Sequence, residues 1–206
     1  MRIEVQDLGK KFNRDWIFRR FTYTFQVNQN YALLGPNGSG KSTLLQVLAG
    51  AIPASHGAIR YQNDQAPIDE NNFFRSLAIA APYLELIEEF SLLESIAFHQ
   101  RFKAFKNNLT PTELAEQIGL ADAGHKLVRN FSSGMKQRLK LGLAFWSDVP
   151  ILMLDEPTAN LDVRGIDWYL SQIEAHTVNR MVIICSNQPY EYSFCRNLID
   201  LQDIKQ

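Results

Sequence analysis

Cysteine is scarce: Cys185 and Cys195 are the only two in the chain. Their spacing fits neither a metal knuckle nor a disulfide framework, so both are expected as free thiols in a reducing compartment. No apolar run approaches the roughly 18 residues that a membrane-crossing helix needs, and residues 1–7 lack the apolar stretch of a secretion signal. Positive charge is not in surplus. The 21 Lys and Arg against 22 Asp and Glu leave a formal charge of -1, which argues against a strongly basic nucleic-acid binder. Repeats and low-complexity tracts are also missing. What remains is the composition of a globular protein of 206 residues, enough for one domain or one domain with a subdomain, expected in the cytoplasm.

Against these absences one stretch stands out. Gly35, Pro36, Asn37, Gly38, Ser39, Gly40, Lys41, Ser42 and Thr43 satisfy the pattern G-x-x-x-x-G-K-[ST]. An apolar run at 31–34 precedes it as a buried strand, and residues 43–48 follow as the first turns of a helix. Strand, glycine loop and helix N-terminus together make a nest of backbone N–H groups for a polyphosphate. Glycine is needed where a Cβ would block the loop angles or the approach of the phosphate. Lys41 is then expected to reach the β- and γ-phosphates, and Ser42 to offer its hydroxyl to Mg²⁺.

Elsewhere the patterning predicts strands at 3–5, 21–25, 31–34, 58–61 and 77–80, a helix over 41–51, and a polar loop over 62–72. Ser91 with Glu94, and Thr110 with Glu113, have capping-box spacing, and Pro111 suits a first helical position. Gly119 fits just past the end of the second helix. A third helix opens near 132–134 and carries Leu139, Leu143 and Ala144 on its apolar face. Continuous apolar runs at 150–154 and 181–185 predict parallel strands covered on both faces. A last strand is expected at 198–201. Residues of roughly 85–145 thus read as a helical insertion within an α/β core.

The run at 151–154 ends in Asp155 and Glu156, the former placed to face Mg²⁺ and the latter the γ-phosphate side. Two carboxylates after a strand are weak alone; coupled to the phosphate cradle they supply the held metal and oriented water that phosphoryl transfer needs. Just before that strand stand Phe131, Ser132, Ser133, Gly134 and Met135, opening a basic helix. Beyond it a turn runs from Ala159 through Asn160 and Leu161 to Asp162. In this order, the four pieces resemble the nucleotide-binding subunit of an ATP-binding cassette (ABC) transporter, over essentially the whole chain. The family signature, usually LSGGQ, stands here as Phe-Ser-Ser-Gly-Met, similar to cassettes of polysaccharide and haem exporters.

The resemblance implies an α/β fold: a P-loop NTPase (RecA-like) core with an N-terminal antiparallel β subdomain and an inserted helical subdomain. It implies a single ABC ATPase domain over 1–206, with the core at about 1–84 and 146–206 and the helical subdomain at about 85–145. ATP and Mg²⁺ are the implied cofactors, with Ser42 and Asp155 on the metal and Glu156 on the attacking water. Two cassettes, either two copies or one with a paralogue, would sandwich two ATP molecules head to tail. Ser132, Ser133, Gly134 and Asp162 of each would face the other's nucleotide. Phe12 either stacks on adenine, as the family's early aromatic does, or is a core or edge phenylalanine. A separate permease would dock between Tyr83 and Phe90, or that stretch is an ordinary amphipathic helix. Such a subunit is peripheral at the cytoplasmic membrane face, with no nucleic acid expected. The short tail after the last strand favours an exporter-like cassette without a sensing module.

Two of the family's usual residues are missing. Between Gln65 and Gln100 there is no glutamine, and Tyr83 or a neighbour takes its place. After the last core strand Asn187 stands where a histidine is usual; it either bonds the γ-phosphate or caps the helix opening at Pro189. An asparagine donates one hydrogen bond but carries no charge, so slow hydrolysis with intact ATP binding is expected. A nucleotide-dependent switch with little turnover is the neighbouring reading. A soluble cassette of translation or DNA maintenance would need a second cassette or long coiled coils, and a small-molecule kinase would not need the 131–135 signature. His56, His99, His125 and His176 lie outside all motifs and read as surface or packing residues.

Overall fold

The computed structural model of the chain describes residues 1–63 and 66–204. β1 (Arg2–Phe12) turns tightly at Asn13 into β2 (Asp15–Gln26), and β3 (Asn30–Leu34) then enters a second sheet. After α1 (Lys41–Leu48) the chain returns to the first sheet as β4 (His56–Asn63) and β5 (Ala66–Ile68). α2 (Glu70–Phe73) leads to β6 (Leu77–Ala80). Three helices follow, α3 (Leu92–Gln100), α4 (Pro111–Gln117) and α5 (Ser133–Trp146). β7 (Ile151–Asp155), α6 (Val163–Thr177), β8 (Met181–Cys185) and β9 (Asn197–Asp200) complete the order.

The first sheet has the order β2-β1-β4-β5 and is antiparallel; the second, β6-β7-β8-β3-β9, is parallel throughout. Alternation along the parallel strands divides the apolar interior into two layers. Tyr31, Leu33, Ile151, Met153, Ile183 and Cys185 face α1 and the antiparallel sheet. Ala32, Leu152, Leu154, Val182 and Ile184 face the layer built by α3, α4, α5 and α6. Both faces are covered, as the unbroken apolar runs require.

Helix starts follow the side chains at their caps. Ser91 and Thr110 close capping boxes with Glu94 and Glu113, and Pro111 opens α4. Gly119 takes φ 69° just past α4, where a glycine costs least. At the other end of α5, the fully buried Arg180 donates to the Phe145 and Ser147 carbonyls and satisfies that terminus.

Two expectations are corrected. The polar stretch 62–72 is not a loop: β4 continues to Asn63, β5 pairs with it, and Asp69 caps α2 by accepting from the Asn71 N–H at 2.8 Å. Phe73 supplies the reason, buried and stacked on Tyr61 with ring centroids 3.6 Å apart. Residues 64 and 65 of that stretch lie outside the described residues. Nor does an amphipathic helix form over 84–89. That segment is irregular, with a turn at 88–89, and is pinned from outside, since the Phe90 and Glu88 carbonyls accept from the Val128 and Arg129 N–H groups.

Candidate functional site

β3 ends at Leu34 and α1 begins at Lys41, so residues 35–40 must reverse the chain in one short loop. Gly35, Gly38 and Gly40 take φ of 135°, 76° and 101°. At Gly40 a Cβ would also come within 2.6 Å of Ile17 Cγ2, so glycine is required there twice over. Pro36 and Asn37 form the exposed outer part of the loop, while Ser39 is buried within it. Lys41 is buried and its ammonium donates to the carbonyls of Gly35 (2.6 Å) and Pro36 (3.2 Å), which holds the charge inside the loop's concavity. Ser42 and Thr43 follow in the first turn of α1, where free N–H groups and the helix dipole favour an anion.

Asp155 ends β7 alongside this loop. Its side chain is 2% exposed, and neither carboxylate oxygen has a hydrogen-bond partner of normal geometry. Burial pushes its pKa up to about 6; the nearby Ser42 hydroxyl offsets part of that, and the Glu156 charge adds to it. An unpaired buried carboxylate beside a hydroxyl is a costly arrangement that a divalent cation relieves. The residues present therefore fit Mg²⁺, which takes few protein ligands when substrate phosphates complete its shell. Among the described residues no group of three or more His, Cys, Asp or Glu side chains forms a metal cage of its own.

Glu156 is exposed and sits at φ 43°, in the left-handed region, with its N–H donated to the Cys185 carbonyl at 2.9 Å. It lines a cleft of about 420 Å³ with Asn37 and Asn187. Asn187 does not cap the turn at Pro189, whose N-cap is Gln188. Its amide instead donates to Asn37 Oδ1 at 2.7 Å. The glycine loop, the end of β7 and the segment after β8 thus meet in one place.

Ser132 N-caps α5, accepting from the Met135 N–H at 3.2 Å, and Asp162 N-caps α6, accepting from Gly165 at 2.8 Å. Ser132 and Ser133 are exposed. Together with Gly134 and Asp162 they line a separate depression, open to solvent, on the far side of the 156–162 turn. Gly134 is held close to that turn, since a Cβ there would lie 3.1 Å from the Asn160 carbonyl oxygen. The serine pair and Asn37 of the glycine loop line different depressions.

Parallel pairing of Ala80 with Leu154 carries the chain after β6 to the neighbourhood of Asp155. Tyr83 stands there, its ring partly exposed but its hydroxyl turned inward to the Gln46 side chain. Burial and then the Asp155 charge push the phenol pKa up, so it stays neutral. Gln46 lies one helical turn after Ser42 on α1 and was not anticipated from the sequence. Beyond Tyr83, a groove of about 630 Å³ is lined by Leu84, Leu86 and Ile87, by acidic Glu85, Glu88 and Glu89, and by Lys136 and Lys140. Lys140 holds the Ala81 and Pro82 carbonyls, and Lys136 pairs with Glu88 at 2.6 Å. Phe12 is 48% exposed at the tip of the β1–β2 hairpin, with the Lys10 ammonium 4.9 Å from its ring centroid. It is therefore not a core residue.

Gln137 and Glu191 also carry no motif yet are both 2% exposed and both bond the turn that follows Asp155. Only a signal of tertiary contact would have found them.

The model of the ABC transporter family matches residues 18–159 of this chain. An uncharacterized ABC transporter ATP-binding protein, YybJ, of Bacillus subtilis (strain 168) is 31% identical over 164 residues, spanning 80% of this chain and 75% of that protein. The cytochrome c biogenesis ATP-binding export protein CcmA of Xylella fastidiosa (strain 9a5c) is 36% identical over 157 residues, 74% of this chain and 69% of the relative. Among solved structures, the dimeric structure of MJ0796, a bacterial ABC transporter cassette, superposes with a TM-score of 0.80 at 18% identity, covering 96% of this chain and 93% of that one. The extent of these matches and the shared fold lead to one conclusion: this chain belongs to the ABC transporter family.

Proposed function

We propose that this chain is the ATP-hydrolysing subunit that powers a separate, exporter-like membrane permease. The single observation that carries the reading is Asp155, a buried and unpartnered carboxylate beside Ser42 at the mouth of the Gly35–Lys41 loop. Backbone N–H groups of the loop and the Lys41 ammonium hold the polyphosphate, whose oxygens compete with the Gly35 and Pro36 carbonyls for that cation. Ser42 and Asp155 would hold Mg²⁺, which supplies charge neutralisation on the phosphates when bound. Glu156 orients the attacking water, and Asn187 offers one neutral hydrogen bond to the γ-phosphate. Phe12 supplies a face for adenine.

A second cassette completes each site. The exposure of Ser132, Ser133 and Asp162, with Gly134 half-buried beside them, supports their presentation to a neighbour's nucleotide in a head-to-tail pair, and the dimeric cassette of the same fold supports pairing. The mixed apolar and acidic groove beyond Tyr83 supports docking of the permease at residues 83–90, at the cytoplasmic face of the membrane. None of the helices among the described residues is long and apolar enough to cross a membrane.

A second reading, a nucleotide-driven switch with little turnover, is favoured by one observation: the amide of Asn187 carries no charge and is already engaged by Asn37. One experiment addresses both. Glu156→Gln is expected to bind Mg-ATP, lose hydrolysis and run as a dimer in gel filtration. A monomer under saturating Mg-ATP would sink the sandwich, and a wild-type rate no higher than that of the variant would select the switch.

A further inference from the structure

Glu191 occupies an unusual setting for a carboxylate. It is 2% exposed, in the short 3-10 turn Pro189–Glu191 that follows β8. One oxygen, Oε1, accepts from both donors of Thr158: the N–H at 2.8 Å and, in a shorter bond, the hydroxyl. The Tyr190 hydroxyl lies 3.1 Å from the same Thr158 oxygen, and Tyr169 donates to the Glu191 carbonyl at 2.8 Å. Buried polar atoms are thereby satisfied, but a solvent-facing threonine would have satisfied them without burying a charge. The arrangement calls for another reason.

Thr158 is two residues beyond Glu156, whose left-handed backbone at φ 43° is strained for a glutamate and persists only where its surroundings impose it. Two local bonds shape the bend, Glu156 N–H to the Cys185 carbonyl and Ala159 N–H to the Glu156 carbonyl, at 2.9 and 3.0 Å. Two buried side chains from two different elements then fix it. Gln137 of α5 donates to the Pro157 carbonyl at 2.8 Å, and Glu191 grips Thr158. Glu191 also shares its short loop with Asn187, the residue that reaches Asn37.

We infer that Glu191 is a positioning residue for Glu156: by holding both donors of Thr158 it keeps the 156–159 turn in the bend that aims Glu156 into the cleft shared with Asn37 and Asn187. This rests on the reading of Glu156 as the carboxylate that orients water. An ångström of misplacement at such a group costs about 10²-fold in rate, while nucleotide affinity, set by the glycine loop and Lys41, is untouched. The signature of positioning is therefore a loss in kcat without a change in KM.

The test compares Glu191→Ala, Glu191→Gln, Thr158→Val, Thr158→Ser and the double variant Glu191→Ala/Thr158→Val, with Glu156→Gln as reference. ATPase rates are expressed per site that binds a non-hydrolysable ATP analogue, and amide hydrogen exchange is followed over residues 156–161. Thr158→Val and Glu191→Ala are expected to lose about tenfold or more in kcat with KM within about twofold, and to exchange faster at 156–161. The double variant should be no worse than either single one. Glu191→Gln keeps an acceptor oxygen without its charge and should fall between, while Thr158→Ser should hydrolyse nearly as wild type. Should Glu191→Ala fail to fold, Thr158→Val and Glu191→Gln decide the matter alone. Wild-type kcat per site in Thr158→Val, or multiplying losses in the double variant, overturns the positioning role while leaving Glu156 in place. Undiminished hydrolysis by Glu156→Gln overturns the parent reading and this one with it.

Discussion

The amide of Asn187 donates to Asn37 Oδ1 at 2.7 Å, so the segment after β8 touches the glycine loop before α1 directly. Both residues are neutral. The bond ties two walls of the cleft together without placing a positive charge opposite Glu156, where the γ-phosphate would develop negative charge during transfer. Asn187→His introduces a side chain that can be charged and cannot duplicate the amide's bond in the same way. We expect kcat to rise by about tenfold or more with nucleotide affinity little changed, measured by steady-state hydrolysis and analogue binding. An unchanged or lower rate in a folded variant counts against the role given to this position.

Asp155 carries a burial cost that Ser42 and Lys41 offset only in part and that a bound cation would relieve further. Asp155→Asn removes the charge but keeps the shape, so the nucleotide-free protein should melt a few degrees higher, a gain of about 1–3 kcal/mol for an uncompensated buried carboxylate. The same variant should lose the Mg²⁺ dependence of ATP binding. Calorimetric melting with and without Mg-ATP reads both effects.

His99 and His176 set an acid limit on stability. Burial, with Lys103 nearby, lowers the His99 pKa to about 4, and burial, with Lys106 and Arg180, lowers that of His176 to about 4 as well. The unfolded chain takes up these protons near pH 6.5, so the folded state is fully stable above that pH and loses stability as the pH falls toward 4. For His176, packed on Phe145 and Trp146 at centroid distances of 5.2 and 4.3 Å, the loss is about 1.4 kcal/mol per pH unit at most. His176→Phe should flatten the slope of melting temperature against pH between 6.5 and 4.5. A slope identical to wild type would assign the acid sensitivity elsewhere.

Arg180 is another buried charge. Its guanidinium serves the Phe145 and Ser147 carbonyls at the end of α5, and burial lowers its pKa to about 10. Arg180→Ala should destabilise the fold by about 3 kcal/mol by leaving those acceptors dry and unpaired. Arg180→Lys should recover only part of that, since an ammonium cannot span both oxygens as a planar fork does. Chemical denaturation of the three proteins measures the difference.

The elements nearest the phosphate loop were the most legible from sequence, because backbone demand and residue type coincide there. Gly40 can be little else, and unbroken runs such as 181–185 admit only a strand covered on both faces. The capping boxes at Ser91 and Thr110 were readable for the same local reason. The hairpin of β4 and β5 was not, because its polar residues are held by one aromatic stack, Phe73 on Tyr61, between segments apart in sequence. Residues 84–89 carry a pattern compatible with a helix, and hydrogen bonds from Val128, Arg129 and Lys140 to that stretch and its flanks override it. Asn187 left two choices open; the N-cap at Gln188 removes one of them, and the bond to Asn37 had no signal in the sequence. Gln46, Gln137 and Glu191 were silent, since a glutamine or glutamate acquires meaning only from what it meets.

Gln137 stands one turn into α5, close behind the exposed serines at its start, and its amide is fastened to the Pro157 carbonyl next to Glu156. A helix of 14 residues transmits displacement as a stiff rod. Whatever tugs on its leading end pulls, within the same molecule, on the bend that presents Glu156. Grip and aim would meet within one turn at the same end of the rod and could not be adjusted independently, so a paired cassette would sense a neighbour's phosphate as strain in its own reacting centre.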